Sequence, residues 1–583
     1  MNSGATVRVL DETGKVIATG KAVTAATGAY GPITLTGAGP FRVEACGSVG
    51  GRPLCVWGAT TKGGTLNLTP LTSAITVLAG GQAPAALMTG PVQGLADTDL
   101  ATAQTQVRAA IASALTDAGL SATFDLQTGA LTPGSHTGYD RLLDTVSVSL
   151  GQDSKAFAAL TSALGSGVAY LEPGTSLGSL GIDAAAATVD FPGIDSLFKS
   201  MGAAMPVANT CNKDLPALLD ANVRASLNPV SSFTGPAGAT QALCLHMSGS
   251  LVGDVESLLG STLLPATPQH CDFSGGDPVC RVSLVFKTSK NLLRQVGIEQ
   301  AVVKRPSGWT FLGNRLEVQA SAAARLVLAR RVDQAAPDTY TRYLDIGIAA
   351  YPGLQCARVS QKDSSAADMA LALFKPTANG QFLSLWSSSA TNAAPSLDPA
   401  SGATLGDNQI SVALPATAAG DTTARNLVRA GRALKIELYS DGACTTALAG
   451  ADGGAVSVDV AGSLPLNLPG MGGQPWPALK TAAAAALASL QGSKINYLPG
   501  WDSLAGLAVN RAQLCTDAAC ASKLAEVELA GNATGATLAA TLSTPPLGAS
   551  DYKLLRLTGR TSDGMSLQLD SQSCAAKPSA QPC

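Results

Sequence analysis

Hydrophobic and polar residues alternate along the first eighty residues, and this is the pattern of half-buried β-strands. Ala5, Val7 and Val9 fall on one face of the first stretch, and polar residues separate them. The same alternation returns over Gly39–Cys46, and Leu54–Trp57 is expected to pair with that strand. A further short strand is predicted over residues 33–35. The pattern therefore predicts a β-sheet module at the start of the chain.

Turn signals separate these strands. Asp11–Gly14 and Gly28–Gly31 contain glycines that can supply a positive φ, and Pro40 stands where a strand can begin without losing a ladder hydrogen bond. The module ends at Leu66–Ile75, which reads LNLTPLTSAI. A helical segment is expected to follow this junction.

The order of these signals is strand, D-x-x-G, strand, G-x-Y, strand and then G-P-F-x-V-x-A. This order resembles the transthyretin-like β-sandwich, also called the carboxypeptidase regulatory-like domain, and the resemblance covers residues 4–80. It implies a β-sandwich that serves as a spacer or binding domain and carries no catalysis. The LNLTPLTSAI junction resembles one found in surface lipoproteins of Gram-negative bacteria.

Residues 81–195 are predicted to form a helical segment, because apolar residues recur there at spacings of three and four. Helices are expected over 97–119, with Gly119 at the end, over 136–146, and over 157–164. The Gly- and Ser-rich stretch 165–181 is predicted to be a loop.

Residues 196–335 are predicted to form an α+β domain in which helices precede long hairpins. The first helix would be capped by Asn212 or Asp214 and extend to Val223, and the second would cover 252–259. The strands are expected at Val279–Lys287, Gln295–Arg305, Trp309–Gln319 and Ala324–Arg331. The turn Lys304–Trp309 and the TFLGNR sequence after it are similar to the NTF2-like cone fold, which implies a pocket for a small ligand.

Residues 336–470 are predicted to form a second β-sandwich of transthyretin- or Ig-like type, and 471–583 a short helix followed by β-hairpins. Strands are expected at 343–348, 369–374, 382–386, 409–413, 433–439, 504–513, 524–530 and 554–558, and the helix at 478–490. No repeat of fixed period is present. The predicted fold class is therefore multidomain α+β, built from β-sandwich modules and helical insertions.

Composition narrows the range of partners. The chain has 583 residues, of which 46% are hydrophobic and 14% charged, against about 25% charged residues in ordinary globular proteins. The 38 basic and 41 acidic residues leave a net charge of −3 and form no basic stripe. Nucleic-acid binding is therefore disfavoured, and no apolar run is long enough to predict a transmembrane segment.

The twelve cysteines fall into neighbouring couples, which predicts disulfides and an oxidising compartment. The couples are Cys46/Cys55, Cys211/Cys244, Cys271/Cys280, Cys356/Cys444, Cys515/Cys520 and Cys574/Cys583. No signal peptide is visible before the first strand. Because the cysteines favour export, we expect this sequence to represent the mature form, or a trimmed form, of an extracytoplasmic protein.

Two short motifs resemble catalytic signatures. Gly174–Gly178 matches the G-x-S-x-G pattern of a nucleophile elbow, but no strand–turn–helix context surrounds it. Ser196–Lys199 matches the S-x-x-K pattern of penicillin-recognising enzymes, but the partner motifs are missing or in the wrong order. We therefore expect Ser196–Lys199 to be part of an amphipathic helix with an exposed lysine, and we predict no catalytic residue.

Residues of types that bind zinc lie close together at two places in the sequence, namely Cys244 with His246 and His270 with Cys271. Their spacing fits no known zinc motif, and the predicted disulfides would use both thiols. We therefore expect no metal ligand and no cofactor. The two carboxylates of a glycoside hydrolase can lie far apart in sequence, so such a pair is not excluded by the sequence.

Three functional hypotheses follow. The first is a non-enzymatic exported protein of the periplasm or cell surface, with a role in binding, adhesion or envelope scaffolding; its partners would be a cell-envelope component, a polysaccharide or another protein. The second is a small-ligand carrier or hydrolase with a pocket in 196–335. The third is a subunit of an extracellular polymer in which one module donates an edge strand to the next copy.

Overall fold

We describe the fold from a computed structural model of the chain. The described residues are 5–19, 28–49, 52–92, 94–150, 156–165, 167–204, 215–228, 231–237, 240, 262–264, 268–282, 285–287, 293–295, 300–313, 318, 320–348, 351, 353–362, 368–376, 383–385, 409–414, 433–449, 454–461, 471–472, 474–502, 507–529, 533–543, 545–561, 564–575 and 583.

The first module is a four-stranded antiparallel sheet. Its strands are β1 (Thr6–Leu10), β2 (Val16–Thr19), β3 (Phe41–Val49) and β4 (Arg52–Thr60), in the order β2-β1-β3-β4. The strand expected at 33–35 is absent, because these residues form no ladder there. Ile33 and Leu35 instead pack as a loop against the apolar face of the sheet, beside Val7, Val9 and Val43.

Helix α1 (Pro70–Gly80) begins within the predicted junction. Thr69 and Thr72 form a reciprocal capping box, Pro70 occupies the first turn, and Gly81 ends the helix in the left-handed conformation. The other helices of this part are α2 (Pro84–Leu87), α3 (Asp97–Ala110), α4 (Ala112–Asp117), α5 (Gly138–Thr145) and α6 (Phe191–Ala204). The predicted helix over 97–119 is therefore present, with a break at Ile111.

The helix predicted over 157–164 is wrong. A second antiparallel sheet lies there, formed by β5 (Val146–Leu150), β6 (Ala158–Ser162), β7 (Val168–Glu172) and β8 (Thr175–Leu177), which also replaces much of the predicted loop over 165–181. Ala158 and Leu160 face the helices, whereas Phe157 and Ala159 face the core of the largest sheet. A strand buried on both faces lacks polar alternation, and its apolar run can be mistaken for a helix.

The middle of the chain holds another four-stranded sheet, with the order β12-β13-β16-β17. These strands are β12 (Pro268–Asp272), β13 (Val279–Val282), β16 (Gln300–Arg305) and β17 (Gly308–Gly313); around them lie β9 (Arg224–Asn228), β10 (Ser231–Thr234), β11 (Thr262–Leu263), β14 (Val285–Lys287) and β15 (Leu293–Gln295). Short 3₁₀ turns cover Ala186–Thr188 and Leu215–Leu218.

The helix predicted to extend to Val223 is wrong beyond the 3₁₀ turn. The backbone there turns towards β17, since the Asp220 N–H donates to the Phe311 carbonyl at 2.9 Å. The proposed caps Asn212 and Asp214 and the helix over 252–259 lie outside the described residues.

The largest sheet contains twelve of the described strands. They are β18 (Ala320–Arg331), β19 (Thr339–Ile348), β20 (Cys356–Lys362), β21 (Asp368–Pro376), β22 (Leu383–Leu385), β23 (Gln409–Leu414), β24 (Ala433–Tyr439), β25 (Ala455–Ala461), β27 (Leu507–Cys515), β28 (Lys523–Glu528), β30 (Lys553–Thr561) and β31 (Ser566–Ser573). Strands β26 (Lys494–Tyr497) and β29 (Leu538–Thr541) form a separate pair, and α7 (Thr481–Ala488) precedes them.

Strand β18 joins the two halves of this sheet. On one side it pairs with β19, and on the other it pairs first with β25 around Ala322 and then with β31 from Arg325 onwards. The inward residues of strands from both halves form one hydrophobic core, which includes Leu326, Leu344 and Leu569. The described chain is therefore β-rich with several sheets and few helices, in agreement with the predicted multidomain α+β class at this coarse level. None of its described helices has the length and apolarity needed to span a bilayer.

Candidate functional site

The structure describes ten of the twelve cysteines, and each of them is bonded to the neighbouring cysteine predicted as its partner. The disulfides are Cys46–Cys55, Cys271–Cys280, Cys356–Cys444, Cys515–Cys520 and Cys574–Cys583. Cys46 lies directly opposite Cys55 across β3 and β4, as predicted. The sixth couple, Cys211/Cys244, lies outside the described residues.

A compact group of ionisable side chains lies between α5 and α6. We call it the His136 cluster, and its members are His136, Asp140, Asp144 and Asp195. His136 has a left-handed backbone, with φ 53°, and Gly138 after it has φ 54°. These two residues turn the chain so that the imidazole lies over the first two turns of α5.

Both ring nitrogens of His136 face carboxylates. The Nδ1 atom is 2.8 Å from Asp144 Oδ2, and the Nε2 atom is 3.3 Å from Asp195 Oδ2. The backbone N–H of His136 donates to Asp140 Oδ2 at 2.8 Å. One imidazole therefore links two carboxylates on two helices, and its own backbone holds a third.

The surroundings of the cluster affect its protonation. Burial lowers the pKa of His136, but the hydrogen bond to Asp144 and the charges of the three aspartates outweigh it, so that the pKa is raised. Burial raises the pKa of Asp144 and also that of Asp195, against the opposing effect of His136. The cluster therefore favours a protonated imidazole and disfavours the full negative charge of its carboxylates.

The cations close to the His136 cluster bind other carboxylates. Arg141 donates from Nε to Asp117 Oδ2 at 2.9 Å and from its guanidinium to the carbonyls of Ala186 and Val189. Its guanidinium also lies 5.4 Å from the ring centre of Phe191, the ring on which His136 stacks at 6.2 Å. Phe191 thus separates the arginine from the imidazole.

A second cation occupies the start of α6. Lys304 Nζ is 2.8 Å from Asp190 Oδ2, and it lies 5.6 Å from the ring centre of Trp309. Asp190 Oδ1 accepts a hydrogen bond from the Gly193 N–H at 2.8 Å, as a helix N-cap does. The hydrogen bond from Lys304 is the main reason that the pKa of Asp190 is lowered.

Arg305, next along β16, binds two further aspartates. Its Nε is 2.7 Å from Asp220 Oδ2, and its Nη1 is 2.6 Å from Asp277 Oδ2. Asp220 also accepts from Thr310 Oγ1 and from the Asn222 N–H. The hydrogen bond to Asp220 is the main reason that the pKa of Arg305 is raised, and the same bond lowers the pKa of Asp220.

The outer face of the largest sheet carries a different polar arrangement, which we call the sheet-face network. It consists of Ser411, Asp345, Arg325, Gln568, Asp570 and Arg556, which belong to five strands. Arg325 binds both oxygens of Asp345, at 2.7 and 3.0 Å, and Arg556 binds both oxygens of Asp570, each at 2.9 Å. Each arginine is therefore matched to one carboxylate.

The motifs tested in the sequence do not form catalytic sites in the described residues. Ser176 lies within the exposed edge strand β8 and pairs with Leu171, without the strand–turn–helix context of a nucleophile elbow. Ser196 lies on α6 and donates to the Pro192 carbonyl, and Lys199 is exposed as predicted. Cys271 is disulfide-bonded and His270 is exposed, whereas Cys244 and His246 lie outside the described residues.

The His136 cluster was not predicted, although a signal for it is present. His136, Asp140 and Asp144 are four residues apart in succession, a spacing that brings side chains to one side of a helix. Asp195 gives no such signal, because its approach depends on how α6 packs. Chemically, the cluster can share a proton or hold a cation. It does not suit a Ser–His hydrolase, since carboxylates occupy both imidazole nitrogens.

No family model matches the chain, and no curated protein matches it. One similar solved structure is described as "Structural insight into host cell surface retention of a 1.5-MDa bacterial ice-binding adhesin", with 8% identity, a TM-score of 0.13, and coverage of 51% of this chain and 90% of that one. Another is described as "Crystal structure of tetra-tandem repeat in extending region of large adhesion protein", with 11% identity, a TM-score of 0.11, and coverage of 98% and 92%. Neither likeness carries an argument about this chain at such TM-scores.

Proposed function

We propose that this chain is an exported bacterial protein with a non-enzymatic binding, adhesion or envelope-scaffolding role in the periplasm or at the cell surface. The observation that carries the proposal is the pairing of neighbouring cysteines into disulfides. Disulfides form and persist in oxidising compartments and are rare in the cytosol. Several of these cysteines, including Cys280 and Cys356, are fully buried, which is typical of structural disulfides.

The sheet-face network supports a binding role. Its partly exposed arginines, Arg325 and Arg556, are fixed by bidentate pairs with the buried Asp345 and Asp570, so little side-chain entropy would be lost when a polar partner contacts them. Tyr343 adds an aromatic ring to this face, with the Arg325 guanidinium 4.4 Å from its centre. A rigid, mixed polar and aromatic surface suits recognition of a polysaccharide or of another protein.

Two linked experiments test this function. Intact cells are labelled with a membrane-impermeant amine reagent, and the chain is then mapped by non-reducing peptide analysis. We expect surface or periplasmic labelling together with neighbour-paired disulfides. A chain that is protected from the reagent after the outer membrane is opened, and that carries reduced thiols, would contradict export.

The binding role is tested by sedimentation of the purified, disulfide-bonded chain with cell-envelope fragments. We expect it to sediment with the fragments, and a sample that has been reduced and alkylated serves as the unfolded control. Absence of sedimentation, or a hydrolase turnover that a single Ser or Asp substitution abolishes, would overturn the non-enzymatic binding role.

A further inference from the structure

We propose that His136, Asp140 and Asp144 bind one divalent transition-metal ion, for which zinc is the probe. This site does not depend on the binding role proposed above. The three residues are of the types that bind zinc, and one ligand atom from each lies within 4.8 Å of the other two. Two ligands of a tetrahedral ion with bonds of about 2.0–2.2 Å lie about 3.3 Å apart, so any pair of these atoms that is wider must close on binding.

The local backbone brings the three ligands together. Asp140 lies in the first turn of α5, and Asp144 lies one turn further along the same side. The left-handed conformation of His136 folds the imidazole back over these turns, to 2.8 Å from Asp144. Two tetrahedral zinc ligands stand about 3.3 Å apart, so the Nδ1–Oδ2 separation would open by roughly half an ångström on binding.

Asp195 provides the outer partner that a metal-binding histidine usually has. The metal would displace the Nδ1 proton, which leaves to solvent, and the Nε2–H group would then donate to Asp195 Oδ2, 3.3 Å away. Such a carboxylate fixes the tautomer and the ring orientation and makes the imidazole a better ligand. Phe191 stacks against the same ring and restricts its rotation further.

The charge at the site is uncompensated by fixed cations. Two carboxylates face the imidazole and a third accepts from the backbone N–H of His136. Among the described residues, Arg141 binds Asp117 while Lys304 binds Asp190. No lysine or arginine of the described chain is paired with Asp140, Asp144 or Asp195. A divalent cation would supply the missing positive charge.

The cluster is also accessible. The side chain of His136 is 19% exposed and that of Asp144 is 23% exposed, so an ion and a water ligand can reach it. Three protein ligands and one water complete a tetrahedral zinc site. The rival set in the sequence loses a thiol, because Cys271 is bonded to Cys280.

The test uses the full, disulfide-bonded chain after treatment with a chelator and dialysis. Titration with zinc chloride in a calorimeter should show one site, and cobalt should give a visible absorption band at the same stoichiometry. Asp144→Asn and Asp140→Asn are nearly isosteric and should each weaken zinc binding at least about tenfold, and Asp195→Asn should weaken it by about 10- to 100-fold. His136→Ala should abolish the site.

His270→Ala is the matched control, since His270 is the other described histidine and is exposed. It should bind zinc like the unaltered chain. Circular dichroism and non-reducing electrophoresis establish that each variant is folded and disulfide-bonded. The proposal is overturned if the unaltered chain binds no zinc, if folded Asp144→Asn and His136→Ala retain its affinity, or if His270→Ala loses it.

Discussion

The sheet-face network and the His136 cluster are two groups of charged residues in a chain that has few of them. In the sheet-face network each arginine meets one aspartate in a bidentate pair, and the pairs are linked by Gln568. In the His136 cluster three aspartates surround a single histidine, two at its ring nitrogens and one at its backbone N–H. The first group is electrically balanced and the second is not.

This difference separates charged groups that stabilise the fold by themselves from a group that favours an added cation. A balanced pair has no excess charge, so its removal should reduce stability. An excess of carboxylates at neutral pH works against the folded state unless a proton or a metal ion joins them. Stability measurements on the two groups should therefore differ in size and in sign.

Removal of one partner of a balanced pair should have the largest effect. Arg556→Met leaves Asp570, which is 5% exposed, without its arginine. Breaking such a buried pair costs about 3–5 kcal/mol, because an uncompensated charge remains. Hydrogen–deuterium exchange of peptides that cover β30 and β31 measures the local loss of stability.

The double substitution Arg556→Met with Asp570→Leu is the control for that experiment. Since both charges are removed, most of the lost protection should return. If the single and double variants exchange equally fast, the Arg556–Asp570 pair does not stabilise these strands. The structural contribution expected of the sheet-face network would then be wrong.

Arg305 pairs with two aspartates that differ in burial, so the exposed pair is a control for the buried one. Asp220 is 5% exposed and accepts several hydrogen bonds, whereas the side chain of Asp277 is 46% exposed. Asp220→Asn should cost about 2–3 kcal/mol at pH 7, as expected for charge-assisted hydrogen bonds, and Asp277→Asn less than about 1 kcal/mol. Urea denaturation followed by circular dichroism compares the two.

The Arg305–Asp220 pair also predicts how stability depends on pH. The pKa of Asp220 in the folded chain lies below its ordinary value of 3.8, mainly through Arg305. The stabilisation is therefore complete above that ordinary value and is lost as the pH falls through the lowered one. The difference between the unaltered chain and Asp220→Asn should shrink on acidification below about pH 4. A difference that stays constant to pH 2 would show that the charge of Asp220 is not involved.

The sequence predicted nine of the twelve described strands of the largest sheet, and it missed β20, β25 and β31. Strands are easiest to predict where their two faces differ. In β24, Leu434, Ile436 and Leu438 alternate with polar residues, and only the apolar side is buried in the core. Strand β6 was missed for the opposite reason, since its neighbours Ala159 and Leu160 are both buried, against two different cores. A pattern of polarity can locate an element only when one of its faces meets water.

The disulfides between neighbours were predictable, because hairpins bring nearby cysteines opposite each other, as with Cys271 and Cys280. Only part of the His136 cluster could be predicted from the spacing of residues along the chain. Its helix α5 supplies Asp140 and Asp144, but the left-handed turn at His136 and the approach of Asp195 from α6 depend on tertiary packing. Sites that join two elements are therefore the part that spacing alone does not show.

The unbalanced group should respond in the opposite way to the balanced ones. Without metal, Asp144→Asn removes one of three crowded carboxylates and should change the free energy of unfolding by less than about 1 kcal/mol, with any change towards greater stability. Thermal unfolding in the presence of a chelator measures it. A loss comparable with that of Arg556→Met would show that Asp144 serves the fold, and the two groups would no longer differ.

The smallest effect is expected at Lys304, which lies between the two kinds of group. Its pair with Asp190 is partly exposed, at 30% and 46% of the two side chains, so solvent weakens the attraction. Lys304→Met keeps a side chain of similar length but removes the charge, and the loss should be only about 0.5 kcal/mol and should shrink further in high salt. Denaturation at low and high ionic strength checks both points. A larger loss that does not change with salt would mean that Lys304 stabilises Asp190 as strongly as Arg556 stabilises Asp570. The Lys304–Asp190 pair at the start of α6 would then be a balanced, structural pair.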